Sequence, residues 1–261
     1  MLQKERQDKI LSLLQKQGSV KISQLTALFD VSVITIRRDF DEMSRQGLIR
    51  KVYGGAVLPP ANEADAVHRI FDQRIARNHS KKQCIGRAAA ALVEEGDTIV
   101  LDIGTTALEI AKNLKDFENL TVLTNSLPIL NELASSHLQV YSLGGRLRGN
   151  ELALCGSLAF HALNTFCIDK AFIGAGGITL EHGITDYDRD SAELCAAIAH
   201  RSKMTVLVAD SSKIGRDVSS VIGPLDSVSL LITDTDAPKD FLAGLQEQSI
   251  EYITVEAENI P

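Results

Sequence analysis

Between residues 98 and 255, seven short apolar runs (Thr98–Asp102, Leu120–Thr124, Leu138–Leu143, Lys170–Ile173, Met204–Ala209, Val228–Thr233 and Glu251–Val255) alternate with stretches of helical spacing. Nothing else in the sequence narrows the fold so much. Strand, helix and strand in succession make a βαβ unit, and repeated units make a parallel sheet with helices on its faces. Helices fit over Ala107–Lys115, Pro128–Ser135, Ser191–Ser202 and Pro238–Gln248, and another over Ser80–Val93 precedes the first strand.

Polar and glycine residues gather where these strands end: Asp102 with Gly104, Thr105 and Thr106; Asn125 with Ser126; Gly144 with Gly145; Gly174 to Gly177, including Gly176; and Asp210 with Lys213. In open α/β sheets the carboxyl ends of the strands form the crevice that takes ligand, so a binding site is expected there. Gly104-Thr105-Thr106 leads straight into a helix, where free backbone N–H groups, two hydroxyls and a positive helix end suit an anion, phosphate above all. Lys213 offers a compact countercharge, and Arg146 and Arg148 offer forked donors. The plainer alternative is a well-capped turn with surface cations.

Residues 1–58 have another character. Ile10, Leu11, Leu13 and Leu14 recur near helical spacing within Lys4–Gln17, and Gly18 supplies a left-handed stop. After an extended Val20-Lys21-Ile22, Ser23 can cap a second helix with Leu25, Leu28 and Phe29 inward. Asp30-Val31 turns the chain, and Ser32 can cap a third helix running to Gln46 and ended by Gly47. Leu48–Val52, the Gly54-Gly55 turn and Ala56-Val57 read as a hairpin. Three short helices and a hairpin make a winged helix-turn-helix. At 100° per residue, Val33, Ile36, Phe40, Met43 and Gly47 fall in one inward sector of the third helix, with Ile34, Thr35, Arg38 and Arg45 opposite.

A recognition helix shows its N-terminal outward residues to base edges in the major groove. The DNA-facing set is then Ser32 and Thr35 for base or phosphate, Ile34 for a thymine methyl, Arg38 for guanine O6 and N7, and Arg37 for phosphate at the flank. Arg50, Lys51 and Tyr53 on the wing suit the backbone. Pro59-Pro60-Ala61-Asn62-Glu63 continues neither helix nor sheet easily, which places a linker at 59–75 between a head at 1–58 and a body at 76–261.

Charge divides at the same place. The chain carries −7 overall, but residues 1–58 hold ten Lys/Arg against six Asp/Glu, while the remainder holds 17 against 28. A basic head of +4 on an acidic body of −11 is the asymmetry of a protein that meets phosphates at one end. No apolar run approaches the roughly 20 residues of a spanning helix. The charged start lacks a secretory stretch, so the cytoplasm is expected. Cys84, Cys155, Cys167 and Cys195 are scattered and expected to be buried, and with six dispersed histidines no metal site or cofactor is expected.

The head resembles that of the DeoR-type bacterial regulators in Val31-Ser32-Val33-Ile34-Thr35-Ile36-Arg37-Arg38-Asp39-Phe40, Gly47-Leu48-Ile49-Arg50 and Tyr53-Gly54-Gly55-Ala56. The similarity continues through Asp102-Ile103-Gly104-Thr105-Thr106, Thr124-Asn125-Ser126, Gly144-Gly145-Arg146-Leu147-Arg148 and Asp210-Ser211-Ser212-Lys213, and so covers essentially the whole chain. The resemblance implies a Rossmann-like body similar in fold to ribose-5-phosphate isomerase that binds a phosphorylated sugar or polyol, with the Gly104-Thr105-Thr106 loop matching the phosphate loop. Glu193 falls where relatives place an acidic residue, but Cys195 stands where they often have a lysine. The implied function is a DNA-binding regulator, a repressor of a carbohydrate-utilisation operon acting as a homo-oligomer on a double-stranded operator and released by its ligand.

Two other functions compete. An isomerase would use Asp102, Asp186 or Glu193 as base and Lys213 as stabiliser. Carboxylates beside a phosphate site equally bond sugar hydroxyls, however, and an isomerase has no need of a DNA-binding head, so no catalysis is expected. A purely architectural DNA-binding protein would leave the polar strand ends without a role.

Overall fold

A computed structural model describes residues 3–45, 48–52, 54–57 and 71–257. The chain forms two compact units that divide between residues 68 and 69.

The first unit contains α1 (Gln3–Gln17), β1 (Ser19–Lys21), α2 (Ile22–Phe29), α3 (Val33–Arg45), β2 (Arg50–Val52) and β3 (Gly55–Val57). Gly18 takes φ +74° and donates its N–H to Leu14 at 2.8 Å, ending α1 as expected. The strands form a small antiparallel sheet in the order β1-β3-β2, with Ala56 opposite both Val20 and Lys51. A Cβ on Gly55 would lie 2.2 Å from the Val20 carbonyl oxygen, so only glycine lets β1 and β3 close. Ile10, Leu14, Leu25, Ile36, Phe40 and Met43 fill the core beneath.

Ser32 caps α3 as expected: its Oγ accepts from the Thr35 N–H at 3.2 Å, and its carbonyl accepts from Ile36. Ser23 does not cap α2. That helix starts one residue earlier at Ile22, and the Ser23 carbonyl instead accepts from Thr26 Oγ1 at 2.9 Å. Leu28 is 58% exposed because the buried stripe of α2 runs along Leu25 and Phe29, and Leu28 lies about 100° around from Phe29. Val33 is 45% exposed: it is the first residue of α3, where the inward sector has not yet met a neighbour. Gln46, Gly47 and Tyr53 lie outside the described residues, as does most of the expected linker. Its last residues do not behave as linker. Residues 71–76 form helix α4, and Phe71 is buried with Ile85, Ala89 and Ile99 of the body.

The second unit continues with α5 (His79–Ala90), β4 (Thr98–Leu101), α6 (Thr105–Lys112), β5 (Thr121–Thr124), α7 (Leu127–Leu133), β6 (Gln139–Ser142), the hairpin β7 (Arg146–Arg148) and β8 (Ala153–Cys155), and α8 (Ser157–Leu163). After these come β9 (Ile168–Ile173), β10 (Gly177–Thr179), β11 (Gly183–Asp186), α9 (Arg189–Arg201), β12 (Ser202–Val208), β13 (Ser220–Gly223), β14 (Leu230–Asp234), α10 (Lys239–Glu247) and β15 (Glu251–Val255). All seven expected strands are present. They form one sheet in the order β15-β14-β12-β9-β4-β5-β6, and every pairing is parallel. Continuous runs such as Ile99-Val100-Leu101 and Val206-Leu207-Val208 fit strands covered on both faces, and each face carries its own apolar cluster.

The order reverses between β4 and β9. Connections after β4 step outward to β5 and β6, and those after β9 step the other way to β12, β14 and β15. Such a reversal splays two crossover connections apart and opens a crevice at the carboxyl ends of the two strands. Three elements are additions to the expected set: α8, the β7–β8 hairpin and a small antiparallel sheet β10-β11-β13. Of the cysteines, Cys84, Cys155 and Cys195 are buried as expected, but Cys167 sits exposed in the turn before β9.

Candidate functional site

In the head, α3 carries its polar face outward. Ile34 is 70% exposed, Arg37 and Arg38 are exposed, and neither arginine forms an ion pair among the described residues. Thr35 is half-buried and shares a 2.9 Å hydrogen bond with the Ser32 hydroxyl. On the wing, Arg50 lies in β2, and exposed Lys51 binds Asp41 of α3 at 2.5 Å, holding that carboxyl below its ordinary range. Lys51 therefore already has an anionic partner that a phosphate would have to replace.

Sequence periodicity missed what sets the rotation of α3. Asp39, adjacent to Arg38, is 1% exposed and takes Arg6 of α1 through two bonds, Nε to Oδ2 at 2.5 Å and Nη2 to Oδ1 at 3.1 Å. The pair ties α3 to α1 inside the core of the head.

In the body, a cleft of about 260 Å³ opens at the carboxyl ends of β4, β9 and β12, where the strand order reverses. Eight of the expected residues line it: Asp102, Gly104, Thr105, Thr106, Gly174, Gly176, Asp210 and Lys213. Gly104 takes φ +132°, a conformation that L side chains rarely adopt, and α6 starts at Thr105, placing both threonines in its first turn. The remaining expected residues are not brought to the cleft. Asn125 and Ser126 are buried at the end of β5 and hold the β7–β8 hairpin, Asn125 through Leu154 and Ser126 through a bridge to Ala153. Gly144 and Gly145, both at positive φ, turn the chain into that hairpin. Arg146 binds Asp190 at 3.1 Å near the surface, Arg148 pairs with Glu151 and Asp188, and Glu193 is exposed on α9 with Arg189 at 2.8 Å.

The cleft also contains Asp186, considered above only as the base of an isomerase, and Ser212 of the Asp210–Lys213 segment, together with residues not singled out from the sequence: Arg74 and Arg77 from the chain around α4, Lys82 from α5, Glu151, Tyr187 and Arg216. A helical signal for Lys82 exists, since it shares a face with Gly86 and Ala89, both buried.

Lys82 is 5% exposed and donates to the Arg74 carbonyl. Burial, with Arg74 and Lys213 nearby, brings its pKa down to about 8. Lys213 is lowered for the same reasons, burial first and then Arg74. Among the acids, burial pushes Asp102 up to about 7, with Asp186 adding to the rise, and raises Asp186 itself, with Glu151 adding. The Cys195 thiol, buried beside Asp102, is raised well above its ordinary value. Asp210 lies close enough to Lys82 and Lys213 to favour their charged forms, so the cationic group is partly balanced, while Asp102 and Asp186 are carboxyls readily kept neutral. Among the described residues no group of His, Cys, Asp and Glu is placed to hold a metal ion, and no helix is long and apolar enough to cross a membrane.

Residues 6–61 match the DeoR-like helix-turn-helix domain, and residues 77–235 match the DeoR C-terminal sensor domain. The chain belongs to the DeoR family of transcriptional regulators. Among its relatives are the HTH-type transcriptional regulator GolR of Listeria innocua, 35% identical over 94% of this chain and 96% of its own length. The HTH-type transcriptional repressor GlcR of Bacillus subtilis is 32% identical over 98% of each chain. The glycerol-3-phosphate regulon repressor of Escherichia coli is 31% identical over 96% of this chain and 98% of its own. These full-length relatives are regulators, so this DeoR-family chain is a regulator and not an enzyme. A ribose 5-phosphate isomerase from Methanocaldococcus jannaschii superimposes over 51% of this chain and 53% of its own at 16% identity and a TM-score of 0.39, a likeness too slight to support any argument about the site.

Proposed function

We propose that this DeoR-family regulator is a cytoplasmic repressor of a carbohydrate-utilisation operon, whose hold on double-stranded operator DNA is modulated by a phosphorylated sugar or polyol bound in the cleft of the body. The observation that carries the ligand assignment is that five cationic side chains and the first turn of α6 line one cleft together with the carboxyls Asp102 and Asp186. Lys82 and Lys213, with the first turn of α6, favour a phosphate, while Asp102 and Asp186 favour hydroxyls. Burial leaves both lysines easier to deprotonate than usual, a cost that a dianion would remove.

In the head, α3 enters the major groove and the wing holds the backbone. One small head buries too little surface for strong selectivity, so a symmetric oligomer places two or more heads on repeated half-sites. Ligand releases DNA by favouring the arrangement that binds operator less well, with a coupling of ~1–3 kcal/mol. The deciding measurement is a thermal-shift panel of sugars and polyols with and without phosphate. A phosphorylated ligand at about 100 times its Kd stabilises the fold by ~2.7 kcal/mol and dissolves the complex with promoter DNA. Stabilisation by the unphosphorylated partners alone would overturn the assignment.

A further inference from the structure

We propose that the segment spanning residues 71–82, α4 and the first turn of α5, is a strap that closes on the bound anion and carries the state of the cleft toward the head. The inference rests on the assignment of the cleft to a phosphorylated ligand and adds how occupancy is read. Five cationic side chains line the cleft, and three of them, Arg74, Arg77 and Lys82, come from this single stretch of chain. It is also the first described stretch of the body after the head.

The strap is tied to the loop that carries Lys213. Asn78 donates through Nδ2 to Asp210 at 2.8 Å and Ser212 at 3.3 Å, and Lys81 Nζ reaches Ser211 at 2.9 Å and Asp234 at 2.7 Å. Its apolar anchor is Phe71. Asn78 joins α4 to α5 at φ +55°, a conformation costly for most side chains but tolerated by asparagine. Against these ties stand the burial of Lys82 and Lys213, the main reason both hold their protons less firmly, and the nearby positive charge of Arg74, which adds to it. An anion set among the three favours the charged form of both lysines. A ligand shifts an equilibrium only by binding one state better than the other, and here the closed strap adds Arg74, Arg77 and Lys82 to the Lys213 of the facing loop, three cations that an open strap withdraws.

Hydrogen exchange of the full-length chain with and without inorganic phosphate tests the strap, with Arg74→Gln and Lys82→Met as variants. In the wild type, phosphate slows exchange at 71–82 and at 104–107 together, by roughly tenfold, within the range usual for linked sites. In Arg74→Gln the slowing persists at 104–107 and falls away at 71–77. Lys82→Met replaces a buried side chain with an apolar one of similar length, so it folds, and phosphate raises its Tm less than that of the wild type. Slowing at 104–107 and 210–213 with 71–82 unchanged would overturn the strap and leave the anion site standing. Uniform slowing throughout the body would overturn it too, as global stabilisation. No slowing anywhere would remove the anion site, and the strap with it.

Discussion

At the level of single residues, Arg38 and Asp102 give the sharpest expectations. Replacing Arg38 with alanine should weaken operator binding by ~1–3 kcal/mol and relax preference at one base pair, as measured by competition among operator variants. Equal weakening on every sequence would instead make Arg38 a phosphate contact. Asp102 has a folded-state pKa of about 7, above its ordinary 3.8. The stabilising effect of its proton is complete below pH ~4 and is lost as pH rises through about 7, at roughly 1.4 kcal/mol per pH unit across that window. Asp102→Asn should therefore be more stable than the wild type by a few kcal/mol in urea at pH 8, and by much less at pH 4. Lys82 works in the other direction for ligand. Its charge is lost above pH 8, where phosphate stays dianionic, so affinity for inorganic phosphate should fall as pH rises through that value, approaching about tenfold per unit. Lys82 also shows what a single sequence conceals. In His79-Ser80-Lys81-Lys82-Gln83 it looks like an ordinary solvated lysine, and its one sequence signal, a helical face shared with Gly86 and Ala89, says that it is buried but not that it lines a cleft.

At the level of elements, the seven parallel strands were legible because strands covered on both faces must be apolar throughout, and such runs stand out between helices. Short, half-exposed pairings have no such signature. The hairpin β7–β8 reads Arg-Leu-Arg on one side, and the β10-β11-β13 sheet joins three- and four-residue strands from distant parts of the chain. The strand-end rule found the half of the cleft built by β4, β9 and β12, but it drew in Asn125, Ser126, Gly144 and Gly145, which end strands on the far side of the reversal and secure the hairpin instead. In the head, helical periodicity located the core of α3 but could not show that an acidic residue belongs to it. Asp39→Ala should destabilise the head in urea unfolding, because it removes the buried carboxylate that takes two bonds from Arg6 and ties α3 to α1. Asp39→Asn, which keeps the shape, should retain more stability yet lose operator affinity if the ion pair orients α3. Gly55→Ala should unfold the wing alone, which hydrogen exchange at β1 and β3 would report.

At the level of the whole molecule, the basic head and acidic body predict association with DNA that weakens steeply with salt, in proportion to the number of phosphates held by α3 and the wing. Binding that is flat between low and physiological salt would contradict contact through Arg37 and Lys51. The arrangement of the sheet bears on the order in which the chain matures. Ile99 of the central strand β4 lies opposite Lys170 of β9, so the middle of the body cannot pair until a long stretch of later sequence exists, whereas the contacts of the head are made within its own short span. On the ribosome the head completes its core while the sheet of the body still waits for β9, so the DNA-reading module matures ahead of the domain that is to govern it.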